Sequence, residues 1–198
     1  MHAFSRSLYR AIGLIALCAC FMPAMGQIAY AKSPNTPAPI TQGLSGAREI
    51  GQARLIVYGF NIYDARLWAA DGFAVAKYAE EPFALELRYL RSFKGQMIAE
   101  RSLSEMRRLA PVSDEKAAQW LQNMKTTFPD IQKGDQLIGI YRPDGTASFT
   151  LNGKPIGEVR DAEFTRLFFG IWLNPKTSEP KMRSELIGDV GTSTGIKK

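Results

Sequence analysis

Histidine and cysteine are almost absent from this sequence of 198 residues. The one histidine is His2 and the two cysteines are Cys18 and Cys20, so all three lie near the N-terminus. The rest of the chain therefore has no side chain for a disulfide or for a thiolate or imidazole metal ligand. Histidine acid–base catalysis and Cys–His or Ser–His–Asp nucleophilic machinery are excluded there too. We expect no cofactor and no metal site in the folded part.

The first 31 residues have the pattern of a secretory signal peptide. Arg6 and Arg10 form a basic start, Ala11–Met22 is apolar, and Ala29-Tyr30-Ala31 fits a small-residue cleavage site. The apolar run is short for a transmembrane helix, which needs about 20 residues. We therefore expect cleavage after Ala31 and a periplasmic or secreted protein.

A lipoprotein is the less favoured alternative. It would be anchored at Cys20, but Cys18 stands nearby in Leu17-Cys18-Ala19-Cys20, where a lipoprotein box usually has a small or hydroxyl residue. Cleavage after Ala31 would remove Arg6 and Arg10, leaving 23 of the 25 basic side chains against 19 acidic ones, a net charge of +4. This mild excess suits an acidic ligand or an anionic membrane surface. We expect no nucleic-acid partner for an exported protein.

The pattern of apolar residues predicts a single α+β domain. Beyond the leader we expect an extended, proline-rich lead-in over 32–42, one domain over 43–188 and a disordered tail over 189–198. Strands are predicted from alternation with period two, and helices from apolar stripes preceded by capping residues. The predicted strands are Ala53–Trp68 (a pair, or one strand bent at Gly59), Phe83–Arg91, Leu137–Arg142, Thr146–Leu151 and Pro155–Val159; the predicted helices are Lys94–Leu109, one capped by Ser113, one capped by Asp161, and Glu179–Ile187.

Arg54 and Tyr63 stand out in the first predicted strand pair. Arg54 lies within an apolar run, where a buried guanidinium without an anionic partner is costly. Tyr63 is expected to be half-buried, so its hydroxyl needs a hydrogen-bond partner. Together they could hold a carboxylate at the mouth of an apolar cavity. An internal ion pair and a core tyrosine are an equally good interpretation.

Short motifs follow one another in a fixed order between Gly43 and Gly188. They are Gly51-Gln-Ala-Arg54, Ile62-Tyr-Asp-Ala-Arg-Leu-Trp68, Leu87-Arg-Tyr-Leu-Arg91, Lys133-Gly-Asp135, Asn152-Gly-Lys154, Phe164-Thr-Arg-Leu-Phe-Phe-Gly-Ile-Trp-Leu173 and Leu186-Ile-Gly188. In this order they resemble the chalcone isomerase-like family, especially its small exported bacterial members. The resemblance implies an open-faced β-sandwich, in which a helical layer covers a large antiparallel sheet and a ligand cleft lies between them.

The resemblance also implies a function. Plant flavonoid isomerases of this family hold a chalcone with an arginine, a threonine and polar helix residues. Non-catalytic relatives bind fatty acids with the arginine and a tyrosine, which correspond here to Arg54 and Tyr63. The tyrosine, and the apolar Gly170-Ile171-Trp172 where isomerases carry a threonine, imply a non-catalytic protein that binds a small apolar acid or lipid. An isomerase or lyase, and an envelope protein with a vestigial cleft, are the alternatives.

One departure concerns spacing. Arg54 and Tyr63 are nine residues apart, which places them on opposite faces of a regular strand unless a bulge or bend near Gly59 intervenes. Arg48 is the second candidate for the family arginine. Four aromatic residues are candidate cavity walls, although plain core is the better interpretation of each one taken singly: Trp68, Tyr89, Phe168 and Trp172. Peripheral membrane contact is a further possibility, through arginines on the helix Lys94–Leu109.

Overall fold

The computed structural model describes residues 36–188. The expected leader and the expected C-terminal tail lie outside the described residues. Six strands form one sheet in which each strand pairs antiparallel with the next along the chain. The strands are β1 (Arg48–Val57), β2 (Phe60–Ala69), β3 (Phe83–Tyr89), β4 (Gln136–Tyr141), β5 (Thr146–Leu151) and β6 (Lys154–Arg160). The open antiparallel sheet with helices is the α+β architecture that the sequence predicts.

The helices lie before, within and after the run of strands. They are α1 (Ala38–Gly43), α2 (Gly95–Leu109), α3 (Asp114–Thr127), α4 (Ala162–Leu173) and α5 (Pro180–Ile187), and a 3₁₀ turn spans Val75–Lys77. Ser113 caps α3 by accepting a hydrogen bond from the backbone N–H of Lys116. Asp161 caps α4 through the N–H groups of the second and third helical residues. Both capping predictions are confirmed.

The two faces of the sheet are covered differently. Helices α2 to α5 and the inner face of the sheet share one large apolar core. On the outer face, Ile40 and Leu44 from the α1 segment pack in a second, smaller cluster with Trp68 and Ile138. Alternation along the strands explains the division, because successive side chains point to opposite faces.

The sequence predicts an extended lead-in over 32–42, but part of this segment is helical. Residues Ala38–Gly43 form α1, with a proline in its first turn, where the missing N–H is no loss. Ile40 is fully buried against the outer face of the sheet. A helix of six residues is not stable by itself, so burial of Ile40 stabilises it. Proline content alone does not reveal this burial.

Helix α5 lies close to β1 at the edge of the sheet. A Cβ atom on Gly51 would lie only 2.6 Å from the carbonyl oxygen of Leu186, so glycine is required for this approach. The contact fixes α5 beside the first strand, where it borders the space between sheet and helices. No helix within residues 36–188 is long and apolar enough to cross a membrane.

Candidate functional site

An open cavity of about 360 Å³ lies between the inner face of the sheet and helices α2, α4 and α5. Its volume falls in the range of about 300–1,000 Å³ that is usual for small-molecule sites. Strands β1 to β4 contribute its floor, and most of the lining side chains are aliphatic or aromatic. The cavity therefore offers an apolar ligand a place out of water.

Tyr63 places a hydroxyl group in this cavity. Its oxygen accepts a hydrogen bond of 3.1 Å from the indole N–H of Trp172 on α4. Burial raises the pKa of Tyr63 well above the ordinary value, so the phenol is neutral at physiological pH. Because the indole occupies an acceptor position of the oxygen, the phenolic proton remains available for donation to a ligand.

Tyr89 supplies a second phenol beside the first. It pairs with Tyr63 across β2 and β3, and the two rings meet edge to face with centroids 5.7 Å apart. Tyr89 is 4% exposed and lines the cavity. Burial raises the pKa of Tyr89 also, and its hydroxyl makes no hydrogen bond to another residue of the described chain. This hydroxyl is not among the buried polar atoms without a partner, so it borders the open cavity, where it can donate to a ligand.

A charged cluster on α2 borders the same cavity. Arg101 lines it and pairs with Glu105 at 2.6 Å, while Arg108 approaches the other carboxylate oxygen of Glu105 at 3.4 Å. The charges of Arg101 and Glu105 both act on the Tyr63 hydroxyl. Since Glu105 has two arginine partners, Arg101 could turn to a ligand anion and leave Glu105 paired with Arg108.

Arg183 on α5 is the second arginine of the lining. Its Nε donates a hydrogen bond of 2.7 Å to the carbonyl oxygen of Leu173, the last residue of α4. This contact caps the C-terminus of α4, an ordinary structural role for arginine. Burial lowers the pKa of Arg183. We therefore assign this residue to the framework of the cavity rather than to ligand contact.

The structure does not bring Arg54 to the cavity. In the β1–β2 register Arg54 lies opposite Asp64, whereas Leu55 lies opposite Tyr63. Paired residues share a face of the sheet, so Arg54 and Tyr63 point to opposite faces. Arg54 instead forms an exposed ion pair with Asp64, with Nε–Oδ1 at 2.5 Å and a terminal nitrogen–Oδ2 at 3.0 Å. This arrangement is the ion pair that the sequence offered as the alternative, at the surface instead of inside.

Arg48 does not replace Arg54. It forms an exposed ion pair with Asp71 and is likewise absent from the cavity lining. The bulge between Leu55 and Ile56 does not bring Arg54 to the face of Tyr63. It lies on the turn side of Leu55, and Leu55, the neighbour of Arg54, remains paired with Tyr63. The sheet therefore supplies no arginine to the cavity, and helix α2 supplies Arg101.

Trp68 lies on the outer face of the sheet, away from the cavity. Trp68 is five positions after Tyr63, an odd spacing that reverses the face along a strand. Its indole N–H donates a hydrogen bond of 2.9 Å to the buried carboxylate of Glu86, which also accepts one from Gln136 at 2.8 Å. Trp68 is thus a residue of the outer cluster and not a wall of the cavity.

The remaining predicted wall residues meet in one place. Tyr63, Tyr89, Phe168 and Trp172 all line the cavity, and Phe168 and Trp172 also contact each other with ring centroids 5.7 Å apart. Sequence reasoning missed the polar residues of α2. The sequence did contain a signal for them. Four residues recur at helical spacing, and all four line the cavity: Ile98, Arg101, Ser102 and Glu105.

Metal binding has no candidate among residues 36–188, where no three acidic, histidine or cysteine side chains cluster as ligands. The polar groups of the cavity are phenols, hydroxyls, the carboxylates of Glu105 and Glu179, and two arginines, of which Arg101 is ion-paired with Glu105. The phenols, hydroxyls and arginines can donate hydrogen bonds to an acceptor such as a carboxyl or carbonyl oxygen.

Comparison with known proteins shows the family and the fold of this chain. The model of a family described as chalcone isomerase-like matches residues 54–188. An uncharacterized protein of Haemophilus influenzae is 31% identical over 139 residues, which cover 70% of this chain and 67% of that protein. The crystal structure of a fatty-acid binding protein of Arabidopsis thaliana superposes with a TM-score of 0.59 at 10% identity, covering 75% of this chain and 90% of the plant chain. At that identity the plant structure shows a shared fold.

Proposed function

We propose that this chain, which belongs to the chalcone isomerase-like family, binds a small apolar acid such as a fatty acid between its sheet and its helices. One observation carries the proposal: an apolar cavity of about 360 Å³ holds the hydroxyl of the half-buried Tyr63, whose proton is available for donation. The shared fold with a plant fatty-acid binding protein supports the same ligand class.

The polar groups assign an orientation to the ligand. The hydroxyls of Tyr63 and Tyr89 donate hydrogen bonds to the ligand's carboxyl group, and Arg101 supplies a positive charge near them. The hydrocarbon chain lies against the aliphatic and aromatic lining, which includes Leu137 and Phe168. Removal of such a chain from water provides most of the favourable free energy, about 25 cal/mol for each Å² of apolar surface.

The neutral state of the phenols suits ligand binding. Because burial raises the pKa of both Tyr63 and Tyr89, neither is a tyrosinate base at neutral pH. Both are neutral hydrogen-bond donors, a role that binding requires. These donors are what the proposal of a binding protein requires of the site.

Native mass spectrometry tests the proposal. Protein purified from the exported fraction is stripped of lipid and then mixed with medium- and long-chain fatty acids. We expect one fatty acid per chain, and weaker retention of the corresponding methyl ester because esterification removes the negative charge. Absence of any bound fatty acid over a range of chain lengths would overturn the proposal.

A further inference from the structure

The turn between β1 and β2 has an unusual residue at its tip. Tyr58 and Gly59 both have positive φ angles, +49° and +79°. The second tight hairpin of the chain has nearly the same pair of angles, +50° and +79°, but at Asn152 and Gly153. Asparagine is the residue that tolerates a left-handed conformation in such turns, whereas a bulky residue there is an outlier. The tip of the first hairpin therefore carries a tyrosine at a position where turn geometry favours asparagine.

The tyrosine is also almost fully exposed. Tyr58 is 97% exposed, and its neighbours Ile56 and Phe60 are 54% and 55% exposed. No charged residue occurs between Leu55 and Tyr63. An exposed aromatic side chain in a strained position contributes nothing to the core. Such a residue points to a contact with something outside the chain.

The exposed tip lies next to the opening of the cavity. Val57 and Ile62, on either side of the turn, line the cavity, and so does Met97 in the first turn of α2. Met97 is 58% exposed, so it lies at the opening as well. We define the tip patch as Ile56, Tyr58, Phe60 and Met97, the large exposed apolar side chains of the described residues.

Positive charge accompanies the tip patch. The guanidinium of Arg91 lies over the ring of Phe60, 4.5 Å from its centroid. Such a pair keeps a cation beside an apolar ring at the protein surface. Aromatic rings with an adjacent arginine are the combination found where proteins meet the headgroup region of a bilayer.

We propose that the tip patch docks on the surface of an anionic lipid bilayer. A protein partner or a second copy of the chain is less suited, because a stable interface needs about 20–30 residues on each side. Reversible contact with a bilayer needs only a few inserted apolar side chains and nearby cations. Docking there would bring the cavity opening to the lipid surface. The use of that opening by a lipid ligand rests on the proposed function, whereas the docking itself does not.

Tyr58→Asn is the variant that tests the proposal. Asparagine suits the positive φ at this position, so we expect the melting temperature to equal or exceed that of the wild type. Flotation with vesicles of phosphatidylethanolamine and phosphatidylglycerol should show an affinity lower by about tenfold, as expected for a loss of about 1.4 kcal/mol. Arg91→Gln should lower the affinity for these vesicles by about fivefold, from about 1 kcal/mol per basic residue, and leave binding to phosphatidylcholine vesicles unchanged.

Fatty-acid affinity measured without vesicles separates this proposal from the proposed function. Tyr58 does not line the cavity, so Tyr58→Asn should bind fatty acid as the wild type does. Vesicle binding without fatty-acid binding would leave the docking proposal standing and remove the proposed function. Equal vesicle binding by wild type and Tyr58→Asn would overturn the docking proposal. The docking proposal would also be overturned if the wild type bound no vesicles but self-associated, and if Tyr58→Asn abolished that self-association.

Discussion

The indole N–H of Trp172 donates a hydrogen bond of 3.1 Å to the hydroxyl oxygen of Tyr63, joining the last long helix to the second strand across the cavity. The bond uses one lone pair of the hydroxyl oxygen, so the phenolic O–H is still able to donate a hydrogen bond to a ligand. Both residues are part of the cavity lining, so the same contact positions the donor and closes one side of the site. Ligand affinity and the docking of α4 are therefore linked through Tyr63.

Tyr63→Phe separates the hydroxyl from the ring. We expect fatty-acid affinity to fall by about two- to tenfold, the value of one neutral hydrogen bond of about 0.5–1.5 kcal/mol. Stability should also fall by about 1 kcal/mol, because the buried indole of Trp172 loses its acceptor. Titration calorimetry and denaturant unfolding measure the two effects. Unchanged affinity in a destabilised variant would show that the Tyr63 hydroxyl is structural only.

Alkaline pH should destabilise the protein through its buried phenols. Burial raises the pKa of Tyr63 and Tyr89, so above the ordinary tyrosine pKa of about 10 the unfolded chain loses protons that the folded chain retains. The free energy of unfolding then decreases as pH rises, by up to about 1.4 kcal/mol per pH unit for each phenol. Below that pH these groups give no slope. Urea unfolding at a series of pH values should show a shallower alkaline decline in Tyr63→Phe than in the wild type; equal slopes would contradict the assigned burial.

Arg101 and Arg54 form a matched pair of arginines, one in the cavity lining and one on the outer face. Arg101→Gln should weaken binding of a fatty acid by about 0.5–1.5 kcal/mol, less than a fully buried charge pair because the side chain is largely exposed. Arg54→Gln should leave the affinity unchanged. Isothermal titration of both variants, with Arg101→Lys as the charge-preserving control, measures the difference. A larger loss in Arg54→Gln would contradict the face assigned to that residue.

Much of the fold was predictable because alternation and capping are local signals. The strand Phe83–Tyr89 and the helix capped by Asp161 follow directly from the spacing of their apolar residues. It was harder to predict from the sequence which residues face the cavity and which face the outer side of the sheet. Residue type and family resemblance both joined Arg54 and Tyr63 in one expected site, although their register across the hairpin turn separates their faces.

The role of Arg101 could not be predicted, for a different reason. A charged residue on an amphipathic helix usually faces water, and only the tertiary arrangement shows that a cavity opens beside this one. Glu105 illustrates the same limit, since this charged residue of an amphipathic helix is buried at 7% exposure. Cavities arise from how elements pack, and sequence periodicity contains no record of the space left between them.

Export remains a prediction from the sequence of the leader. N-terminal sequencing of the exported protein should begin at Lys32, because signal peptidase cleaves after a small-residue motif such as Ala29-Tyr30-Ala31. Fractionation of the producing cells locates the mature chain. Recovery of the protein in the cytoplasm with its first residues intact would contradict the prediction, and a diacylated Cys20 would replace it with the lipoprotein alternative.

The central claim is that the space between the sheet and α2 is a ligand cavity, and two serines of α2 test it most directly. Ser102 is buried and lines the cavity, whereas Ser104 is exposed on the same helix. Ser102→Phe should occupy part of the cavity and lower fatty-acid affinity more than about tenfold, a loss above about 1.4 kcal/mol. The melting temperature should not fall, since the ring enters existing space and avoids overpacking. Ser104→Phe should bind as the wild type does. Wild-type affinity in a folded Ser102→Phe protein would contradict the account.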